Sequence, residues 1–310
     1  MTLEQLKAGG KAGLARALAL LESAPDAAAQ VALLDAAFAQ PRAHVVGITG
    51  PPGVGKSTLL NALIKSWRAG GRSVGCIAVD PSSRRSGGAL LGDRTRLTTD
   101  PADAGVFFRS MAARDRLGGL AALTVSAMVV MRALFDRVLV ETVGVGQSET
   151  EIAGLADTVV FCVQPGAGDS LQYMKAGIAE IPQVVAVTKA DLDLPARRAH
   201  ADVMAALALS RADGDDDWTV PVLLVSAQNS DGVADLVAAI ERHAGYLERD
   251  DRRALGRQRQ AAAWLEAAVR ERFGRDGIRR AAALLAPPLV GAPFGRLAEI
   301  AAKLSDRHDI

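Results

Sequence analysis

The sequence predicts an α/β fold with a mostly parallel central sheet, helices on both faces, and helical extensions at the N- and C-terminal ends. Two observations carry this. From His44 to Ile240, short apolar runs at 44–49, 73–79, 104–108, 137–142, 157–163, 183–188 and 220–225 alternate with helical segments. Such alternation implies strand–helix–strand crossovers and hence parallel strands. Outside that stretch the texture is helical. Residues 3–40 carry apolar positions at helical spacing (Leu14, Leu18, Leu21, then Val31, Leu34, Phe38), with Pro25-Asp26 separating two helices. Residues 241–285 read as one or two charged helices, and Pro287-Pro288 precedes a last short helix near 294–304. The expected division is a helical extension over 1–42, an α/β domain over 43–245 and a helical arm over 246–310.

Composition sets outer bounds. The chain has 310 residues, 49% apolar and 23% charged, enough for a buried core and against bulk disorder. A net charge of +1 lacks the basic surplus of a sequence-independent nucleic-acid binder. Apolar stretches such as Leu120–Met131 are interrupted by polar residues and fall short of the ~20 residues that span a bilayer. The N-terminal residues show no apolar signal core. Cys76 and Cys162 are distant and each sits in an apolar run, as reduced core thiols do. A cytoplasmic protein with no membrane and no nucleic-acid partner is expected.

The chemistry begins at His44-Val-Val-Gly-Ile-Thr49, an apolar strand. It runs into Gly50-Pro51-Pro52-Gly53-Val54-Gly55-Lys56-Ser57, and Thr58-Leu-Leu-Asn-Ala-Leu-Ile opens a helix. Strand, glycine-rich loop and helix in that order are the context a phosphate-binding loop requires. Gly53 and Gly55 let the backbone curl so that N–H groups point at phosphate oxygens, and the helix N-terminus adds partial positive charge. Lys56 is placed for the β and γ phosphates, and the Ser57 hydroxyl for magnesium. The α/β unit is therefore expected to be a P-loop NTPase.

Magnesium needs further oxygen ligands. Arg137-Val-Leu-Val-Glu141 is a strand ending in a carboxylate, and Gly144 follows three residues later, where its N–H would sense a γ-phosphate. Asp80 ends a second apolar strand, Cys76–Asp80, and Asp93 lies in a polar loop; either could reach the metal directly or through water. A water-orienting Gln directly after the sensor glycine is common in Ras-like enzymes. Val145 stands there instead, so intrinsic hydrolysis is expected to be slow and partner-accelerated.

Base selection is read from Thr188-Lys189-Ala190-Asp191, which follows a late strand. GTPases commonly carry Asn-Lys-x-Asp there. The Asp191 carboxylate would accept from guanine N1–H and N2–H₂, which adenine cannot offer, and the Lys189 stem would cover the ring. Thr188 replaces the common Asn, so a weaker brace on the phosphate loop is expected. Ser226, Ala227 and Gln228 fit the segment whose backbone approaches guanine O6.

With these residues in view, a resemblance can be named. Val79-Asp-Pro-Ser-Ser83, Ser86-Gly-Gly88, Leu91-Gly-Asp-Arg-Thr-Arg96, Val140-Glu-Thr-Val-Gly-Val-Gly-Gln-Ser-Glu149 and Pro165-Gly-Ala-Gly-Asp169 together resemble the MeaB/ArgK family of P-loop GTPases. The resemblance spans roughly residues 1–300. It implies a central GTPase domain, an N-terminal helical extension and a C-terminal arm that forms a homodimer. It also implies a chaperone that gates cofactor loading onto adenosylcobalamin-dependent methylmalonyl-CoA mutase and protects that enzyme. On the same ground Lys56, Ser57, Asp80, Asp93 and Glu141 would serve phosphate and magnesium, and Gln164–Lys175 would report nucleotide state to the mutase. The sequence departs from the family at Thr188 and at Arg109-Ser-Met-Ala-Ala-Arg-Asp115, and the second departure leaves the identity of the acyl-CoA mutase open. A stripe of Leu255, Ala262, Leu265 and Val269 suits a dimer seam.

Other classes fit less well. A metallochaperone GTPase needs soft or imidazole ligands at close spacing, whereas Cys76, Cys162, His44, His200, His243 and His308 are scattered. A small-molecule kinase, including a transport-type one, would need an acceptor pocket and a lid. The Asp-x-His-x-x-Gly ligand motif of many corrinoid domains is absent, so no cobalamin is expected on this chain itself. Mg²⁺ and GTP or GDP are the ligands expected.

Overall fold

The computed structural model describes residues 1–81, 100, 102–113, 122–142, 151–166, 181–210, 217–287 and 291–305. Seven strands form one all-parallel sheet: β1 (His44–Thr49), β2 (Val74–Pro81), β3 (Val106–Ala113), β4 (Arg137–Glu141), β5 (Thr158–Val163), β6 (Val184–Val187) and β7 (Val222–Leu224). Their order is β3-β2-β4-β1-β5-β6-β7. β1, β4, β5 and β6 are apolar runs buried on both faces, as parallel strands under two helical layers must be.

β3 runs five residues past its expected end at 108. Arg109 and Ser110 break the apolar run, but β3 is an edge strand, where polar side chains are tolerated. Arg109 also meets Glu22 of an N-terminal helix at 3.2 Å.

Helices cover both faces. One side carries α4 (Lys56–Ala69) and α7 (Val233–Leu247). Leu59, Leu60, Leu63, Leu236 and Ile240 there pack on Val46, Ile48 and Leu139. Each such buried side chain contributes roughly 1.5–3 kcal/mol. The other side carries α5 (Ala122–Leu134) with the N-terminal helices α1 (Leu3–Ala8), α2 (Gly10–Ser23) and α3 (Ala28–Ala39). Here Leu18, Leu34, Met128 and Met131 meet Val45, Ile77 and Val138. The two expected N-terminal helices are thus three. Gly10 takes φ 56° and breaks the chain between α1 and α2. α6 (Leu194–Ser210) packs Ala196, Ala199 and Val203 under β5 and β6.

The C-terminal segment continues through α8 (Arg252–Arg280), the short α9 (Ala282–Leu285) and α10 (Pro293–Ser305). Gly274, at φ 65° and ψ −162°, kinks α8. α8 is clasped to the sheet by Arg257, whose guanidinium donates to both Asp157 oxygens at 2.8 and 2.6 Å, and by Gln260, which donates to the carbonyls of Ala153 and Ala156. α10 in turn packs on α3, where the Gly295 N–H donates to Asp35. This qualifies the dimer-seam expectation. Leu265 and Val269 are buried by Leu297, Ile300 and Leu304 of the same chain, while Leu255 stays exposed. None of the helices described is long and apolar enough to cross a membrane.

Candidate nucleotide-binding site

β1 sits between β4 and β5, with Ile48 opposite both Glu141 and Val160. The connection from β1 runs to β2 on its β4 side, whereas the connection from β4 crosses β1 to β5, so the strand order reverses here. Ligands of open α/β sheets bind at the carboxyl ends of strands at such a point. The Gly50–Ser57 loop occupies that position.

The glycines of the loop are needed for different reasons. Gly53 (φ 75°) and Gly55 (φ 101°) lie in the left-handed region, and nothing lies within 4 Å of where a Cβ would be. Gly50 has φ 137°, and its Cβ would stand 2.4 Å from the Cys162 carbonyl oxygen of β5. Gly55 also starts α4, so the free N–H groups of the first helical turn face the loop. Lys56 is buried, and its ammonium donates to the carbonyls of Gly50 at 2.8 Å and Pro51 at 3.0 Å. The cation is thereby held against the carbonyls of the loop itself.

The next residue meets the end of β4. The Ser57 hydroxyl donates to Glu141 Oε1 at 2.8 Å. The strand end is fixed by β1, since the Thr142 N–H donates to the Ile48 carbonyl and the Thr142 and Thr49 hydroxyls lie 2.9 Å apart. Ser57 and Glu141 present hard oxygens side by side, the donor type Mg²⁺ takes; the set therefore fits that ion. Asp80 lies on β2 two positions past Ala78, which pairs with Glu141. The Asp80 side chain lies outside the described residues, as do Asp93, Gly144, Val145 and most of Gln164–Lys175. Among the described residues, no group of three His, Cys, Asp or Glu side chains forms a metal cluster.

At the far side of the loop the Thr-Lys-x-Asp segment leaves β6. The Thr188 hydroxyl lies 2.7 Å from the Val54 carbonyl and 3.1 Å from that of Val163. It ties the phosphate loop to β5, so a brace on the loop is present with Thr at this position. Lys189 adopts φ 53° and its ammonium donates to the Gly53 carbonyl at 3.0 Å. The Ala190 N–H donates to Val225, and the Ser226 hydroxyl donates to Asp191 Oδ1 at 2.6 Å. Ala227 and Gln228 start the turn that closes when the Ser226 N–H bonds to Asp231. Gly232 (φ 71°) ends it, where a Cβ would be 2.1 Å from the Leu224 carbonyl. Loop, tetrad and Ser226 turn are thus one hydrogen-bonded unit.

The cysteines stay outside this chemistry. Burial pushes the Cys162 thiol up to about 12, and Cys76 is raised as well, so both remain protonated core residues. Two of the scattered histidines do meet. The Thr158 hydroxyl lies 2.7 Å from both His44 Nε2 and His243 Nδ1, at the opposite ends of the strands from the phosphate loop. No sequence spacing signals that contact. A cavity of about 350 Å³ lies between α2, α3, α5, α8 and α10, and none of the site residues lines it.

Known proteins share this architecture. A family model described as methylmalonyl-CoA mutase-associated GTPase MeaB matches residues 14–280. A Pyrococcus horikoshii protein carrying a GTPase name is 43% identical over 248 residues, 79% of this chain and 78% of that one. GTPase ArgK of Escherichia coli is 36% identical over 276 residues, 87% of this chain and 83% of that one. A crystal structure described as an LAO/AO transport system kinase has a TM-score of 0.69 at 27% identity, covering 98% of this chain and 96% of that one. The family match takes in most of α2, the whole sheet and all of α8. With a phosphate loop, a strand-end acid and a base tetrad joined in one site, the chain belongs to the MeaB family of methylmalonyl-CoA mutase-associated GTPases.

Proposed function

We propose that the protein is a Mg²⁺-dependent GTP-hydrolysing chaperone. In this reading it binds an adenosylcobalamin-dependent acyl-CoA mutase, methylmalonyl-CoA mutase in the first instance, and gates cofactor loading and protection. The observation that carries it is the joined site. Thr188 and Lys189 both bond carbonyls of the loop that holds Lys56 and Ser57. Base and phosphates are then read by one rigid unit, which suits a nucleotide-controlled switch. The family name supplies the mutase.

In this reading the backbone of residues 50–58 binds the phosphates, and Lys56 leaves the Gly50 and Pro51 carbonyls for the β and γ oxygens. Ser57 and Glu141 hold Mg²⁺, with Asp80 and Asp93 as further ligands, and Gly144 senses the γ-phosphate. Bound Mg²⁺ would neutralise charge that develops on the phosphoryl oxygens. Asp191 reads guanine, Lys189 covers it, and Ser226, Ala227 and Gln228 line its O6 side. Val145 orients no water, so hydrolysis is slow until the partner completes the site. The helical arm, with Leu255 exposed, is assigned to a homodimer contact. Cobalamin belongs to the partner.

A pull-down with the protein loaded with a nonhydrolysable GTP analogue tests the client. The mutase should be captured with one nucleotide state in preference to the other. Equal capture with the GTP analogue and with GDP, or no capture, contradicts the chaperone role and leaves the GTPase assignment standing.

A further inference from the structure

We propose that Thr188 is a loop-positioning residue whose hydroxyl offers guanine N7 no donor, so that purine recognition rests on the base's pairing edge. The proposal rests on the guanine-site reading of Thr188–Asp191.

A hydroxyl has one proton. Thr188 is buried, and its Oγ1 lies 2.7 Å from the Val54 carbonyl and 3.1 Å from the Val163 carbonyl. Carbonyl oxygens only accept, so the proton must point at them, shared or alternating. What the hydroxyl can offer elsewhere is lone pairs. N7 of guanine is also an acceptor, and two acceptors do not bond.

An Asn at this position would be different. Its amide carries two N–H donors, one for the loop and one for the base. Thr commits its single proton to the protein. Lys189 also bonds the loop, through one of its three ammonium protons to the Gly53 carbonyl at 3.0 Å.

Two consecutive members of the tetrad therefore hold the phosphate loop, and Asp191 retains the capacity to read the base. Its Oδ1 already accepts from Ser226 at 2.6 Å. A carboxylate has about four lone-pair sites, so it can still take N1–H and N2–H₂. Ser226 fixes the carboxylate without consuming it.

The test uses the full wild-type chain, titrated with GDP, 7-deaza-GDP and IDP in the presence of Mg²⁺. In 7-deaza-GDP the N7 acceptor is replaced by C–H. IDP lacks the 2-amino group and keeps N7. We expect 7-deaza-GDP to bind within about twofold of GDP and IDP to bind at least about tenfold more weakly. The Thr188→Asn variant should bind GDP about three- to tenfold more tightly than wild type and lose that gain with 7-deaza-GDP. Thr188→Ser, which keeps one proton, should keep the wild-type ratio.

A wild-type loss of about tenfold or more with 7-deaza-GDP overturns the proposal, because a donor then reaches N7. A Thr188→Asn variant that treats GDP and 7-deaza-GDP alike overturns it too, because position 188 then does not face N7. Equal wild-type binding of IDP and GDP overturns the guanine-site reading itself, and the proposal with it. The two failures are told apart by which analogue shows them.

Discussion

The Ser57 hydroxyl donates to Glu141 Oε1 at 2.8 Å, joining the first turn of the helix after the phosphate loop to the end of the neighbouring strand β4. A divalent cation entering between them would take an oxygen from each. Ser57→Ala and Glu141→Gln should each reduce Mg²⁺-dependent hydrolysis by about 100-fold or more. The loss should show in kcat, measured by phosphate release across a Mg²⁺ titration. Wild-type activity in either variant would remove these residues from the metal site.

Gly50 should not tolerate a side chain. Its φ of 137° is available at low cost to glycine alone, and a Cβ would meet the Cys162 carbonyl at 2.4 Å. Gly50→Ala is expected to cost about 1–3 kcal/mol. It should lower the melting temperature of the nucleotide-free protein by several degrees in calorimetry. An unchanged melting temperature would mean the loop can back away from β5.

Asp191→Asn should lower guanine preference while leaving the fold intact. The amide loses one of the two acceptors that guanine N1–H and N2–H₂ need. Competition of GTP against ATP checks this. The expected outcome is a GTP/ATP ratio reduced by about tenfold or more, with an unchanged circular dichroism spectrum. Undiminished selectivity would place the base elsewhere.

The buried polar cluster at the other end of the sheet should make stability pH-dependent. Burial, against the pull of Asp157, lowers His44 to about 3. The folded state therefore keeps His44 neutral, and the unfolded state binds a proton below about pH 6.5. Stability is full above that value and falls with pH between about 6.5 and 3. The contribution lost between pH 6.5 and 5.5 is about 1 kcal/mol. Burial would raise the Asp157 carboxyl, but the Arg257 hydrogen bonds and charge hold it below the usual range. Asp157 thus adds a second loss at lower pH. Urea unfolding at pH 7.5, 6.5 and 5.5 should show the decline, and His44→Gln should flatten it.

The sheet was legible because parallel strands under two helical layers are near-continuous apolar runs. β1, β4, β5 and β6 read that way and lie within a residue or so of their expected places. β3 read short because Arg109 finds its partner, Glu22, on a helix far back in the chain, which spacing cannot reveal. The Gly9-Gly10 break was passed over because isolated glycines often sit inside helices. The stripe through Leu265 and Val269 illustrates a deeper limit. An apolar helix face covered by its own chain and one covered by a second copy look the same in sequence. At the site, the loop was legible residue by residue because glycine at positive φ leaves a fixed pattern. The brace from Thr188 was not, because hydroxyl and amide differ in reach, and only the folded chain brings Thr188, just past β6, to the Val54 carbonyl.

A switch whose client completes its active site should hydrolyse GTP slowly alone and faster with the client. The most direct measurement is the single-turnover GTP hydrolysis rate of the full chain, with and without an adenosylcobalamin-dependent acyl-CoA mutase. The rate alone should fall below the ~1–100 s⁻¹ of phosphoryl-transfer kinases and rise at least about tenfold with the mutase. A rate within that kinase range in isolation, or one the mutase leaves unchanged, would contradict the account.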